Sequence, residues 1–157
     1  MTNNLILIRH AQPADKQHGQ RDFDRSLLPV GEAQATQLGK NLAELAEKPE
    51  SIISSEAVRA RETAEFIGRE LKTPVHLESR LYQADERIYE EILHNLPATA
   101  RAIAIVAHNP TISHVAAMLL NNPSIELGVG CAVVMEMTSG WRFKKGAGRL
   151  IHYLSGE

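Results

Sequence analysis

Histidine and arginine side chains recur in this sequence next to apolar runs, in positions from which they could act together on a phosphoryl group. Arg9 and His10 directly follow one apolar run, and His108 directly follows another. Arg25 and Arg59 lie in polar stretches between those two runs. A guanidinium presents a planar fork of donors that binds phosphoryl oxygens in pairs and stays ionised. This combination of residue types predicts phosphoryl transfer.

The two imidazoles suit different roles in such a reaction. A neutral imidazole nitrogen can attack phosphorus and form a phosphohistidine intermediate, which is nucleophilic catalysis. A second imidazole can donate a hydrogen bond to the transferring group and so stabilise the transition state. Three arginines would supply the positive charge that Mg²⁺ supplies in other phosphoryl-transfer enzymes, so we expect the activity to be independent of metal.

Metal and nucleotide sites are not expected from the motifs. The seven histidines show neither HExxH nor a paired Cys/His spacing typical of metal ligands. No GxxxxGK[ST] or GxGxxG loop occurs, which argues against a nucleotide cofactor. We therefore predict an enzyme without a cofactor.

The elements that would position these residues alternate between strand and helix. Apolar runs predict strands, and apolar residues spaced three and four apart predict helices. The predicted strands lie at 5–8, 52–53, 74–77 and 102–107, and the predicted helices at 31–47, 57–71, 86–96 and 111–120. Further β segments are predicted near the C-terminus, at 132–137, 141–144 and 150–154. The alternation predicts a layered α/β fold with buried parallel strands.

Ligands of open α/β sheets bind beyond the carboxyl ends of the strands. Arg9, His10 and His108 stand at such ends, and Arg59 lies one turn into the helix after another. If those strands are neighbours, the two histidines and the arginines meet in one crevice. The order of elements along the chain does not establish that the strands are neighbours.

Composition indicates one ordinary globular domain over residues 1–157. Apolar residues make up 43% of the chain, and the net charge of −2 gives no basic field for nucleic acid. The single cysteine, Cys131, suits a reducing cytoplasm. No run has the length of a membrane span, and Met1-Thr2-Asn3-Asn4 lacks the features of a signal peptide. We expect a cytoplasmic protein that binds neither nucleic acid nor membrane.

Four sequence blocks resemble those of the histidine phosphatase superfamily, the phosphoglycerate mutase-like proteins, and within it the short SixA-type phosphohistidine phosphatases. They span residues 5 to about 120 and are Arg9-His10-Ala11, the segment 24–31 (DRSLLPVG), the segment 54–64 (SSEAVRARETA) and the segment 106–110 (VAHNP). The resemblance implies a three-layer α/β/α sandwich with a mostly parallel sheet, helices on both faces and C-terminal β segments.

The resemblance also implies site roles. By it, His10 is the nucleophile, and Arg9, Arg59 and His108 form the phosphate pocket with it. Arg25 matches a further phosphate-contacting arginine. Asn109, in the last block, is a further candidate for phosphate binding. The sequence departs from the usual pattern at four positions: Ala11, Ser26, Glu56 and Ala107.

The general acid is harder to assign. A phosphoester needs its leaving alkoxide protonated, usually by a carboxylate or a histidine. Asp85 and Glu86 are the candidates, although they could equally cap the helix that follows. A phosphohistidine substrate would ease this need, because imidazole is a better leaving group than an alkoxide.

The substrate that we expect is therefore a protein phosphorylated on histidine. Two alternatives stay open: a phosphatase for a small phosphoester such as a sugar phosphate, and a non-catalytic module that binds phosphate or phosphoproteins. Phosphate, vanadate and tungstate are the expected pocket ligands.

Overall fold

The structure, a computed structural model, describes residues 2–157. Met1, which belongs to the predicted single domain and to the N-terminal segment in which no signal peptide is expected, lies outside the described residues. The described residues form one six-stranded sheet, in which the strands neighbour one another in the order β3-β2-β4-β1-β5-β6. Its strands are β1 (Asn3–Arg9), β2 (Ser51–Ser54), β3 (Val75–Leu77), β4 (Ala102–Ala107), β5 (Cys131–Met137) and β6 (Gly148–Ser155). That residues 1–157 form a single domain stays a prediction.

Four helices cover the two faces of the sheet. They are α1 (Pro29–Ala43), α2 (Val58–Leu71), α3 (Glu86–His94) and α4 (Thr111–Leu120). Alternate residues of β1 point to opposite faces, as the pleat requires. Leu5 and Leu7 pack in the core of the α3 and α4 face, whereas Ile6 and Ile8 pack in the core of the α1 and α2 face. This is the predicted three-layer α/β/α sandwich. No helix within residues 2–157 has the length and apolar character needed to cross a membrane.

The register brings three strand ends together. Strand β4 lies between β1 and β2 and runs parallel to both. Val106 is the partner of Ile8 on one side and of Ser54 on the other. The residues that follow these three positions therefore stand side by side at one edge of the sheet. The two C-terminal strands, β5 and β6, add antiparallel pairs at the far side of β1.

The predicted elements agree with the structure except at a few places. Helix α1 starts earlier than predicted because Pro29 begins it, and it ends at Ala43 because the amide of Leu45 bonds to the carbonyl of Leu42 in a tighter turn. Helix α3 ends at His94 rather than at residue 96.

The strand predicted at 141–144 does not form, and this prediction was wrong. Its aromatic residues pack against the core as part of an irregular connection between β5 and β6. Trp141 donates from Nε1 to the carbonyl oxygen of Ala100, at 3.3 Å, which fixes the indole across the sheet edge. Alternating apolar residues here reflect anchoring of a loop and not strand pairing.

Candidate active site

His10 lies just beyond the end of β1, and its backbone continues the pairing of that strand. Its amide donates to the carbonyl oxygen of Ala107, at 3.2 Å, so the residue is held against the end of β4. The side chain is 6% exposed, and Nδ1 lies 2.8 Å from the carbonyl oxygen of Ala11. A carbonyl only accepts, so Nδ1 carries the proton and Nε2 keeps its lone pair.

The imidazole of His10 is held neutral. Its pKa is lowered to about 4, chiefly by burial and also by the guanidiniums of Arg59, Arg9 and Arg25, against the opposing effect of the Ala11 hydrogen bond. The three arginines are therefore close enough to His10 to act on its charge. A buried, neutral imidazole with a free Nε2 is the form that can act as a nucleophile.

Arg59, in the first turn of α2, points its guanidinium at His10. Nε donates toward Nε2 of His10 at 3.4 Å. The two terminal nitrogens donate to Asp22, NH1 to its carbonyl oxygen at 2.8 Å and NH2 to its carboxylate at 3.0 Å. With only 7% of the residue exposed, this guanidinium is a fixed positive charge beside the nucleophile.

His108 follows β4 and stands beside His10, with 5.3 Å between the ring centroids. Its Nε2 lies 2.8 Å from Oγ of Ser55, and that oxygen already accepts from the amide of Ala57 at 3.2 Å. The Ser55 hydroxyl therefore has its hydrogen available for Nε2 of His108, which favours the tautomer with the proton on Nδ1.

The Nδ1 atom of His108 is buried and has no hydrogen-bond partner among the described residues. The pKa of this imidazole is lowered to about 3, chiefly by burial and also by the neighbouring His10 and Arg59. A buried donor without a partner calls for an explanation, and a bound oxyanion supplies one.

Arg9 and Arg25 approach the same place from two different segments. NH1 of Arg9 donates to the carbonyl oxygen of Leu127 at 3.1 Å, and its buried Nε has no partner among residues 2–157. Arg25 is fixed by a bond from Nε to the carbonyl of Ala14 at 3.0 Å and by an ion pair to Asp22 at 3.1 Å. The structure thus brings together five of the six residues predicted from the sequence to bind phosphate, and Asn109 is the sixth.

Asp22 and Tyr82 belong to the same cluster, and the sequence analysis assigned neither of them to it. The Tyr82 hydroxyl donates to the Asp22 carboxylate at 2.7 Å, and its ring stands edge-on to that of His108 at 5.7 Å between centroids. Although burial raises the pKa of Asp22, the hydrogen bonds from Tyr82, Arg25 and Arg59 outweigh it and hold the pKa well below its usual range. The acidic stretch before Arg25 was the only local signal for Asp22.

Thr63 was also missed as a structural support of the site. This fully buried residue accepts a hydrogen bond from the amide of Ala11 at 3.0 Å and donates one to the carbonyl of Arg59 at 2.7 Å. It therefore links the segment after His10 directly to the first turn of α2. Its place in the block 54–64 was the signal that could have found it.

The side chain of Asn109 makes its hydrogen bonds outside the histidine pair. Its Nδ2 donates to the carbonyl of Leu127 at 3.0 Å, and its Oδ1 accepts from Ser113 at 2.6 Å. Leu127 is also the residue whose carbonyl receives Arg9. The structure therefore shows Asn109 holding the segment that positions Arg9.

The two carboxylates considered as general acids lie at the start of α3. Asp85 is the N-cap of that helix and accepts from the amide of Arg87 at 3.0 Å. Asp85 and Glu86 line a surface hollow with Arg87, Thr111 and His114, and none of these is a residue of the histidine and arginine cluster. No hydrogen bond of either carboxylate to the cluster is present within residues 2–157.

The sequence profile of the histidine phosphatase superfamily (branch 1) matches residues 5–92, more than half of the chain. This chain belongs to the histidine phosphatase superfamily. The matched range contains His10, Arg25 and Arg59, and the fold places His108 beside them. Membership of this superfamily and the structural neighbours below support a phosphatase.

Solved structures of SixA proteins share the fold over nearly the whole chain. SixA of Agrobacterium tumefaciens has a TM-score of 0.83 at 25% identity and covers 98% of both chains. SixA of Nakamurella multipartita has a TM-score of 0.81 at 27% identity and covers 98% of this chain and 96% of its own.

Curated relatives match a shorter part of the chain. The mitochondrial serine/threonine-protein phosphatase PGAM5 of Xenopus tropicalis is 46% identical over 70 residues, which are 45% of this chain and 24% of that protein. The match therefore spans about a quarter of that relative's length. An uncharacterised protein of Mycobacterium leprae is 36% identical over 98 residues, 62% of this chain and 60% of its own.

Proposed function

We propose that this chain is a metal-independent phosphatase that acts through a phosphohistidine at His10 and whose substrate is a protein phosphorylated on histidine. Arg9, Arg25, Arg59 and His108 bind the phosphoryl group in this proposal. Inorganic phosphate, vanadate and tungstate occupy the same pocket as ligands. Asn109 supports the pocket through Leu127 and Arg9.

One observation carries the proposal. The Nε2 lone pair of His10 stands beside a guanidinium and beside a second imidazole whose buried Nδ1 has no partner in the described part of the chain. Two buried donors near this nucleophile, Nε of Arg9 and Nδ1 of His108, have no acceptor among residues 2–157, which fits a transferring phosphoryl group, whose charge lies on its equatorial oxygens. Three guanidiniums supply the positive charge that would otherwise need a metal ion.

The reaction balances in two steps. In the first, the Nε2 lone pair of His10 attacks phosphorus, the bond from phosphorus to the substrate imidazole breaks, and that imidazole takes up a proton from solvent. In the second, water attacks the phosphorus, the bond from phosphorus to Nε2 breaks, inorganic phosphate leaves, and the proton that the water gives up returns to solvent. The proton of His10 stays on Nδ1 throughout and is donated in a hydrogen bond to the Ala11 carbonyl.

The state of the carboxylates supports phosphohistidine over an ester. Asp22 is the carboxylate that contacts the cluster, and its three hydrogen-bond donors keep it ionised, so it holds no proton to give to a leaving alkoxide. Asp85 and Glu86 stay the candidates for that role, and they would have to reach the pocket from the start of α3. A leaving imidazole needs less assistance than an alkoxide.

A second substrate class is favoured by the similarity to PGAM5. Those relatives are serine/threonine-protein phosphatases, and their identity to this chain reaches 46% over the matched 70 residues. In this alternative the substrate is a phosphoserine or phosphothreonine side chain on a protein. The SixA neighbours, which cover the whole fold at 25% and 27% identity, support phosphohistidine instead.

A substrate panel separates these possibilities. We would compare kcat/KM for a protein phosphorylated on histidine, a phosphoserine/threonine peptide and a sugar phosphate. Without a general acid, we expect kcat/KM for the two esters to be lower by about a hundredfold or more, which is the lower end of what such an acid contributes. Equal or faster turnover of either ester would contradict the phosphohistidine assignment. Turnover that EDTA abolishes would contradict metal independence.

A further inference from the structure

Asp22 has a place in the site that the proposed reaction does not yet use. It lies in a short 3-10 helix, Asp22–Asp24, within the long loop between β1 and α1. Its carboxylate accepts hydrogen bonds from Arg59, Arg25 and Tyr82, at 3.0, 3.1 and 2.7 Å. These three donors come from three separate segments of the chain.

We propose that Asp22 is a positioning residue of the phosphoryl pocket, which holds the guanidiniums of Arg59 and Arg25 in the orientation that receives the phosphoryl group. This inference rests on the proposed function of the pocket. The alternative for a carboxylate among arginines is the opposite role, in which Asp22 would occupy the place of the substrate anion and compete with it.

The hydrogen bonds of Arg59 favour positioning. One terminal nitrogen is held by the carboxylate of Asp22, but the other is held by the main-chain carbonyl of the same residue. A side chain that only competed with an anion could rotate away, whereas a main-chain oxygen of this short helix stays. The remaining edge of the guanidinium, at Nε, faces Nε2 of His10 at 3.4 Å. Asp22 therefore fixes the two terminal nitrogens of Arg59 and leaves Nε facing Nε2 of His10.

Arg25 is held in the same manner. Nε bonds to the carbonyl of Ala14, and NH1 bonds to the second oxygen of the Asp22 carboxylate. Each oxygen of the carboxylate thus orients a different guanidinium. One side chain sets the mutual position of two arginines that lie far apart in the chain.

The charge of the cluster agrees with this role. Arg9, Arg25 and Arg59 bring three positive charges next to one another, and like charges at short distance repel. The ionised carboxylate of Asp22 offsets one of them and leaves two, the match for a phosphoryl dianion. Removing the carboxylate would increase the positive potential but release the guanidiniums that focus it.

Tyr82 extends the arrangement to the loop between β3 and α3. Its hydroxyl bonds to the Asp22 oxygen that also receives Arg59, and its ring contacts that of Phe23 edge-on at 5.0 Å between centroids. The ring also stands beside His108. Asp22 therefore connects the loop between β1 and α1 to the loop between β3 and α3 beside the pocket.

The test measures the Kd of tungstate and the kcat and KM of the wild-type protein and of Asp22→Ala, Asp22→Asn and Tyr82→Phe. Asp24→Asn is the matched control, because Asp24 lies in the same short helix and its carboxylate pairs with Arg21, outside the pocket. A SixA protein of the same fold, with a TM-score of 0.83 at 16% identity, is known with tungstate, which makes this oxyanion the probe of choice.

Loss of two charged hydrogen bonds predicts that Asp22→Ala weakens tungstate binding and raises KM by about tenfold to a hundredfold. Asp22→Asn keeps one oxygen acceptor and should lose less affinity for tungstate than Asp22→Ala, and Tyr82→Phe should lose the least. Asp24→Asn should change tungstate binding by less than about twofold, because it removes only an exposed charge. In an Arg59→Ala background, we expect Asp22→Ala to cause a smaller additional loss of tungstate affinity, because one of the groups that Asp22 positions is gone. Thermal melting of each variant shows whether it is folded.

Tungstate that binds Asp22→Ala as tightly as the wild type, or more tightly, would overturn the positioning role and indicate a competing carboxylate. An equal loss in Asp24→Asn would overturn it too, since the effect would then follow from charge alone. If the wild-type protein itself binds no tungstate and hydrolyses no phosphorylated substrate, the proposed function fails, and that outcome is distinct from either of these.

Discussion

At the scale of single residues, the hydrogen bond from Nδ1 of His10 to the Ala11 carbonyl decides which nitrogen can react. It places the proton on the side away from Arg59 and leaves Nε2 unprotonated, with its lone pair facing Nε of Arg59. Burial and three nearby guanidiniums keep the ring neutral. Nucleophilicity at His10 thus follows from one backbone acceptor and the surrounding charge.

The pKa of His10 gives the first prediction. We expect ¹⁵N NMR of the imidazole to show a proton on Nδ1 and none on Nε2 throughout the neutral range, with a titration midpoint near 4 in place of the usual 6.5, chiefly because burial disfavours the charged ring. The nucleophile is then available at neutral pH and is lost only as the pH falls toward that midpoint. A midpoint near 6.5, or a proton on Nε2 at neutral pH, would contradict this assignment.

Ser55 gives a second prediction at the same scale. Ser55→Ala removes the hydroxyl that selects the tautomer of His108, and we expect kcat/KM to fall about tenfold, as loss of one buried hydrogen bond predicts. Ser55→Thr keeps the hydroxyl and should restore most of the activity.

Ser54→Ala is the control for Ser55. Its hydroxyl is equally buried but donates to the main-chain carbonyl of Ser55, at 2.9 Å, without contacting His108. Kinetic parameters that fall equally in both variants would show that packing, and not the tautomer of His108, is the cause.

At the scale of elements, the site exists because β4 lies between β1 and β2. The apolar runs predicted these strands, and the boundaries of β4 were predicted to the residue. A run buried on both faces has a strong local pattern, so its existence can be predicted from sequence. Which strands are neighbours depends on long-range pairing, and the local pattern carries no record of that.

The same reasoning explains which site residues were found. His10, Arg59 and His108 stand at fixed offsets from strands, so they come together when the carboxyl ends of these strands align in the sheet. Asp22 contacts residues 37 and 60 positions away through an irregular loop. No periodicity describes such a loop, and the partners of Asp22 became visible only in three dimensions.

Helix α1 offers a test of how closely the elements must pack around the site. A Cβ added at Gly31 would overlap the carbonyl oxygen of Gln12, two residues after His10. Alanine normally stabilises a helix by about 1 kcal/mol relative to glycine. Here we expect Gly31→Ala to lower the melting temperature and the turnover together, since the backbone after β1 must move.

Val30→Ala is the matched variant in the same turn of α1. Val30 is 53% exposed, and alanine there removes no core contact, so stability and turnover should stay close to those of the wild type. A Gly31→Ala protein as stable and active as the wild type would show that the close approach of α1 to Gln12 does not hold the segment after His10 in place.

At the scale of the whole molecule, the chain concentrates positive charge locally while its net charge stays at −2. The attraction for a phosphoryl group therefore comes from the cluster at the edge of the sheet and not from a general field. Membership of the histidine phosphatase superfamily and a SixA-like fold agree with a chain organised around that one edge. The buried Nδ1 of His108, which has no partner between residues 2 and 157, is the feature of the cluster that most needs a ligand.

The most direct measurement of the central claim is rapid-quench trapping of the phosphoenzyme, followed by mass spectrometric mapping under alkaline conditions. We predict an acid-labile phosphoryl group on Nε2 of His10 in the wild-type protein, formed and consumed at rates consistent with turnover, and none in His10→Ala. Phosphate on another residue, or turnover that survives in His10→Ala, would contradict the account.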